Sequence, residues 1–163
     1  MPVTHAYAIL APLPEAHLAA AQQVCQREGK VAFGSRSEQL FRKIDLSRVR
    51  DTVDVFIYAA NPEVDLGAVI SWHGVYVGQV QALPDGTHPD KARYRPLTAY
   101  DTDCMKLWTL YWEMENLQPI QPIKIETLRG FDQEAVYAAS FVPKSPVLIE
   151  HPRIEPFQIT PVV

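Results

Sequence analysis

A chain of 163 residues, 47% hydrophobic and 21% charged, has the length of one domain with a substantial core, and no composition shift or linker divides it. It has no apolar run of about 18 residues, which argues against a membrane-spanning helix and a membrane partner. A formal net charge of −4 at pH 7 disfavours a general nucleic-acid coat protein, because phosphate binding favours positive potential; a local patch gripping one nucleotide is still compatible with it. The opening MPVTHAYAILAPLPEAH lacks the basic region of a signal peptide, and Cys25 and Cys104 lie far apart, as reduced thiols do; both point to a cytoplasmic chain. The five histidines show no HxxxH or HxH pairing, so no metal site is expected, and no motif calls for a cofactor.

The apolar run 5–11 predicts a first strand, stopped by Pro12 and Pro14. Residues 14–28 are alanine-rich and end before Gly29, which predicts a helix. KVAFG (30–34) predicts a short strand. After a possible cap at Ser37, Leu40, Phe41 and Ile44 recur at helical spacing. VDVFIYA (53–59) predicts a strand ended by Asn61-Pro62. Residues 67–83 predict a long or bent strand, with Gly74 and Gly78 marking bulges. The polar, proline-containing stretch 84–103 is the longest irregular segment. Residues 107–117 alternate clearly: Trp108, Leu110, Trp112 and Met114 share one face, and Thr109, Tyr111, Glu113 and Glu115 the other. Ile123–Arg129 predicts a turn or short helix, QEAVYAAS (133–140) a second clear helix, and the tail from about residue 141, with five prolines, extended chain. The pattern predicts an α+β domain on a curved, mostly antiparallel sheet.

GxGxxG, GxxxxGK[ST], GxSxG and HExxH are all missing, and no residue is assigned a catalytic role. Asp101 and Asp103 beside Cys104 disfavour a thiolate nucleophile. Glu113 and Glu115 fit a solvated strand face better than a general acid–base pair. The aromatic load carries more information. Trp72, Trp108 and Trp112 either fill the core or line a pocket in which a planar ring stacks. Lys91, Arg93 and Arg95 flank Tyr94 in one loop, a weak nucleic-acid signature that a solvated loop explains equally well. Gly34-Ser35-Arg36 opens a helix, where free N–H groups and Arg36 could hold a phosphate.

Val31–Asn61 resembles the PUA-like superfamily, in particular its EVE and ASCH domains: an aromatic-Gly turn, a short helix, then a strand with an aliphatic-Tyr pair, here Ile57-Tyr58. Gly67–Val80 is similar to the glycine-bearing strand that follows, and Leu110–Gly130 to the closing strand. The resemblance covers roughly residues 5 to 140. Ala11-Pro12-Leu13 departs from it where an aromatic is expected, and the proline-rich tail lies outside it.

The resemblance implies a pseudo-barrel with flanking helices and one cleft between the first helix and the sheet. It further implies a non-catalytic module that reads a modified nucleobase in DNA or RNA through an aromatic-lined cleft. The expected site joins the Phe33–Arg36 turn, Tyr58, Ser71-Trp72 and the Trp108/Trp112 strand. Phe33 or Trp72 would stack, Ser35 and Ser71 would read polar edges, and Arg36, with Lys91, Arg93 and Arg95, would contact the backbone. Two alternatives stand beside it: a nucleoside-processing hydrolase using Lys43, Lys106 or Glu38, and a protein-interaction domain. For the latter, the apolar tail residues Val147, Leu148, Ile149, Ile154, Phe157, Ile159 and Val162 would pack on the domain itself or on a second copy.

Overall fold

β1 (Tyr7–Pro14) alternates its side chains between two apolar layers: Tyr7, Ile9, Ala11 and Leu13 enter one, Ala8 and Leu10 the other. A strand covered on both faces reads as a continuous apolar run, which is why HAYAIL shows no polar alternation. The computed structural model describes residues 5–61, 69–138 and 141–152. Within them, α1 (Glu15–Glu28) ends at Gly29, whose φ of 88° supplies the left-handed cap that lets its N–H bond Cys25 O. β2 (Val31–Ser35), α2 (Glu38–Arg48), β3 (Val53–Ala60), β4 (Val69–Gln81), the single turn α3 (Leu97–Tyr100), β5 (Leu110–Lys124) and β6 (Val147–Glu150) follow.

The sheet runs β2-β5-β4-β3-β1-β6; only the β1–β3 pair is parallel. The larger apolar layer packs Leu18, Ala21 and Val24 of α1 and Phe41 and Ile44 of α2 against Val55, Ile57, Tyr76, Trp112 and Met114. The smaller layer, on the other face, joins Phe56, Ile70, Ile120, Ile125, Leu128 and Ile149. β4 shifts register three times against β5. One shift lies at Gly74, where a Cβ would stand 3.1 Å from Met114 Sδ, a tight contact that the methionine would have to yield to.

Three expectations are corrected. The sheet does not close into a barrel: β2 and β6 are its outer strands. Coil covers each of them instead, Ala32 N–H bonding Tyr94 O, and Phe131 N–H bonding Leu148 O. Residues 133–138 form no helix. Residues 132–136 are all exposed, so no apolar face drives one, and the chain closes a reversal with Tyr137 N–H on Leu128 O and an Arg129–Val136 bridge. The strand expected at 107–117 starts at Leu110 and runs on to Lys124, which leaves Trp108 ahead of it. The tail contributes β6, antiparallel to β1, so Val147, Leu148 and Ile149 pack on the domain; Ile154, Phe157, Ile159 and Val162 lie outside the described residues.

Asp54 ties three distant segments together. Its Oδ1 is 2.9 Å from His73 Nε2 on β4, and its Oδ2 is 2.7 Å from His151 Nε2 just past β6. Burial works to raise the Asp54 pKa, but the hydrogen bonds from His151 and His73 outweigh it and hold the carboxyl well below its ordinary range. The native pKa therefore lies below the unfolded one. The stabilisation is complete above about pH 5 and is lost as pH falls through the unfolded value toward the native one. Urea midpoints measured from neutral pH downward should fall steeply for the native chain. Asp54→Asn should be less stable at pH 7 and show a flatter acid decline; parallel declines would mean that the clamp does not form.

Candidate functional site

β2 ends at Ser35 and the chain leaves the sheet there, opening a cleft of about 340 Å³. Phe33 and Trp112, cross-strand partners with ring centroids 5.9 Å apart, form its base; both are nearly fully buried. Pro12, Leu13 and Pro14 of β1 and His17 of α1 make one wall, and Gly34 to Ser37 another. Arg95, Ala99 and Thr102 close the back, and Lys144, Ser145 and Pro146 cross the rim.

Trp108 is placed by a glycine. A Cβ on Gly34 would stand 2.2 Å from Trp108 Cδ1 and Cγ, so the indole lies directly on the β2 backbone and no other residue fits beneath it. The 106–109 segment is locked there. Thr109 N–H donates to Ser35 O (3.1 Å), and Arg36 Nε and Nη2 donate to Leu107 O (2.6 Å) and Lys106 O (3.5 Å). Ser35 Oγ accepts Ser37 N–H at 3.0 Å, which fixes the turn into α2 and leaves the Ser35 O–H free to rotate toward a ligand. Trp108 is half-buried, so part of its ring is open to the cleft.

Arg36, Arg95 and Lys144 line the cleft, and among the described residues no carboxylate does. Arg95 is neutralised from behind: Nε and Nη2 bond Asp103 at 2.8 Å each, Nη1 bonds Ala32 O at 2.7 Å, and its side chain is 2% exposed. Arg36 and Lys144 have no carboxylate partner among the described residues. His17 Nδ1 is 2.6 Å from Thr98 Oγ1, and burial, followed by the charge of Arg95, lowers its pKa below the ordinary value, so the ring is neutral at pH 7.

Of the residues singled out in the sequence, Phe33, Ser35, Arg36, Trp108 and Trp112 line this cleft; Tyr58, Ser71 and Trp72 do not. Trp72 pairs with Ile57 and Pro119, seven residues along β5 from Trp112, or about 20 Å of strand, and packs on the larger apolar layer. Tyr58 packs on the opposite layer. The four segments therefore do not meet at one point. In the basic loop, Lys91 pairs with Asp85, Arg93 with Glu28 and Arg95 with Asp103. Glu113, expected on a solvated face, is buried beside Lys30 and His88. Lys43, Lys106 and Glu38 are exposed and do not line the cleft. Leu13, His17, Thr102 and Lys144 were not anticipated. They come from four separate segments, and no spacing in the sequence links them.

No family model matches the chain, and neither a curated protein nor a solved structure resembles it significantly. No helix among the described residues is long and apolar enough to cross a membrane.

Gly34→Ala should push the Trp108 ring off the strand. The expected signature is a red-shifted emission spectrum that Trp108→Phe abolishes, at a stability cost of about 1–3 kcal/mol for overpacking. Unchanged emission would show that the indole does not rest on Gly34.

Proposed function

We propose that the chain is a non-catalytic binding module that reads a modified nucleobase in DNA or RNA through the cleft at the end of β2. The observation that carries this reading is the pairing of an aromatic platform with an uncompensated positive rim. Trp108 lies against Gly34, while Arg36 and Lys144 border the same cleft with no carboxylate among the described residues, in a chain of net charge −4. A flat ring with an attached phosphate needs those two features side by side. The order β1–α1–β2–α2–β3–β4, with Phe33 and Gly34 in the strand that leads into α2, supports a PUA-like, EVE-type assignment of the same chain.

In this arrangement Trp108 takes the stacking role. Phe33 and Trp112 are almost wholly core and back the cleft rather than face it. The Ser35 hydroxyl and the neutral His17 ring supply hydrogen bonds to the base edge, and Arg36 and Lys144 take the phosphate. Stacking on one aromatic is worth about 1–3 kcal/mol per base, so Trp108→Ala should weaken binding roughly 5- to 150-fold without unfolding the chain. The test is a titration with oligonucleotides bearing methylated or hydroxymethylated bases against unmodified controls. A preference for one modified base, lost in Trp108→Ala and reduced in Lys144→Ala, supports the reading. Equal or absent binding across the panel overturns it.

A further inference from the structure

The cations left without a carboxylate are not in the loop where basic residues interleave with an aromatic. Lys91, Arg93 and Arg95 are each matched by a carboxylate. On α2, by contrast, Arg42 and Lys43 have no ion-pair partner among the described residues, and both border a shallow hollow with Gln39, Leu46 and Ser47. Arg50, just past the end of the helix, is exposed and likewise unpaired among the described residues. Leu46 and Val49 stand among these cations at 77% and 74% exposure, above the other exposed large apolar side chains. Val49 holds φ 58° and ψ −93°, a conformation that a β-branched residue rarely adopts. Arg48 braces that turn by donating to Asp51 O at 2.8 Å and Val77 O at 3.2 Å.

The nearby carboxylates do not cancel this charge. Asp45 accepts from Arg48, Tyr76 and Gln79 on the inward side of the helix. Glu38 stands one helical turn before Arg42 and borders a hollow with it and Leu46, but forms no ion pair with it among the described residues, and Asp51 lies beyond the last turn.

We propose that the Arg42–Lys43–Leu46 face of α2, extended by Arg50, docks the sugar–phosphate backbone of a nucleic-acid strand. This rests on the reading of the cleft as a nucleobase site. Charge complementarity is the first argument: in a chain of net charge −4, two cations of α2 and Arg50 just past its end have no carboxylate partner among the described residues. Continuity is the second. α2 starts one residue after Ser37, which lines the cleft, and Arg42 and Lys43 lie about 10 Å along the chain from Arg36 at helical rise, a span of about three stacked nucleotides. The protruding Leu46 and Val49 give apolar contact to sugars and base edges between the phosphate contacts. A lipid surface fits less well. α2 turns Phe41 and Ile44 into its own core, which leaves two apolar side chains, and interfacial binding scales with the apolar area inserted.

The test compares the native chain with Arg42→Ala/Lys43→Ala/Arg50→Ala and with the charge reversal Arg42→Glu/Lys43→Glu. Circular dichroism first checks that each is folded. The probes are short labelled single-stranded DNA and RNA oligonucleotides over a salt series, the matching nucleoside monophosphates, and phosphatidylserine vesicles. The expected result is that the slope of log affinity on log salt becomes shallower by about 2 in the triple variant, from three lost contacts on a single strand. Charge reversal should weaken oligonucleotide binding further, while monophosphate binding stays unchanged. An unchanged slope overturns the surface and leaves the cleft reading intact. Oligonucleotides bound no more tightly than monophosphates, or not at all, also overturn the surface, as does binding to vesicles in place of oligonucleotides. Oligonucleotide binding with the expected slope change, but no monophosphate binding, keeps the surface and overturns the cleft reading.

Discussion

The buried guanidinium of Arg95 is the constraint on which the candidate site depends. It spends two nitrogens on Asp103 and the third on Ala32 O, and it stacks over Tyr111 with 4.9 Å to the ring centre. These contacts join the irregular stretch between β4 and β5 to the edge strand β2. The neighbouring Tyr94 O accepts Ala32 N–H, so the loop covers the β2 edge at the same point. Ala99, Thr102 and Trp108 are thereby brought up to β2, and the cleft acquires its back. A buried ion pair adds little net stability over an apolar replacement, whereas losing one partner costs about 3–5 kcal/mol. What the pair secures here is position: it pins a loop of more than twenty residues to one strand.

The same loop shows why basic residues in a sequence overstate a basic surface. Tyr94 lies between Lys30 and Arg93, whose charges sit 4.6 and 5.0 Å from its ring. Beneath it, His88 Nδ1 accepts Asp90 N–H, so Nε2 carries the proton and faces Glu113 Oε2 at 3.5 Å. Burial would raise the Glu113 pKa, but His88 and Lys30 outweigh it and lower it. The cations of this region are matched by carboxylates of the same region, while His88 Nε2 and Glu113 Oε2 face each other without a hydrogen bond. α2 differs: Asp45 bonds inward, and Arg42 and Lys43 form no ion pair among the described residues, although Glu38 borders the same hollow as Arg42.

The elements with local causes were legible in the sequence. The apolar run of β1, the alanine-rich α1 with its Gly29 cap, the short strand KVAFG and the 3.6-residue spacing of Phe41 and Ile44 each carry their own signal, and the structure follows them, although Phe33-Gly34 lies within β2 and forms no turn. What was not legible depended on remote partners. QEAVYAAS has helical propensity, but residues 133–136 are exposed and of the described residues Tyr137 alone packs on the domain, so a bridge to Arg129 wins. Trp72 and Trp108 look alike in sequence. Trp72 lies within β4, at a register shift against both β3 and β5, and Trp108 sits just before β5 begins, and only the strand pairing separates the two cases. Lys144 reaches the cleft solely because β6 pairs with β1.

The prolines make the underlying logic visible. Pro119 and Pro122 lie inside β5, an interior strand, where a missing N–H would break a ladder. They are tolerated because β2 has only five residues and pairs β5 no further than Met114, so beyond that point β5 has a neighbour on one side only. β1 repeats the arrangement. β6 pairs with Tyr7 to Leu10 and stops, and Pro12 and Pro14 follow on the flank it leaves open. On β5 the open flank is solvent-facing strand. On β1 it is a wall of the cleft, with Lys144 to Pro146 crossing the rim just before β6 begins. The end of each short outer strand shapes the site: β2 stops at Ser35 and the chain turns through Arg36, which bonds the Lys106 and Leu107 carbonyls, and β6 stops short of the apolar wall at Pro12 and Leu13. The cleft is the place where pairing on both sides of the sheet runs out.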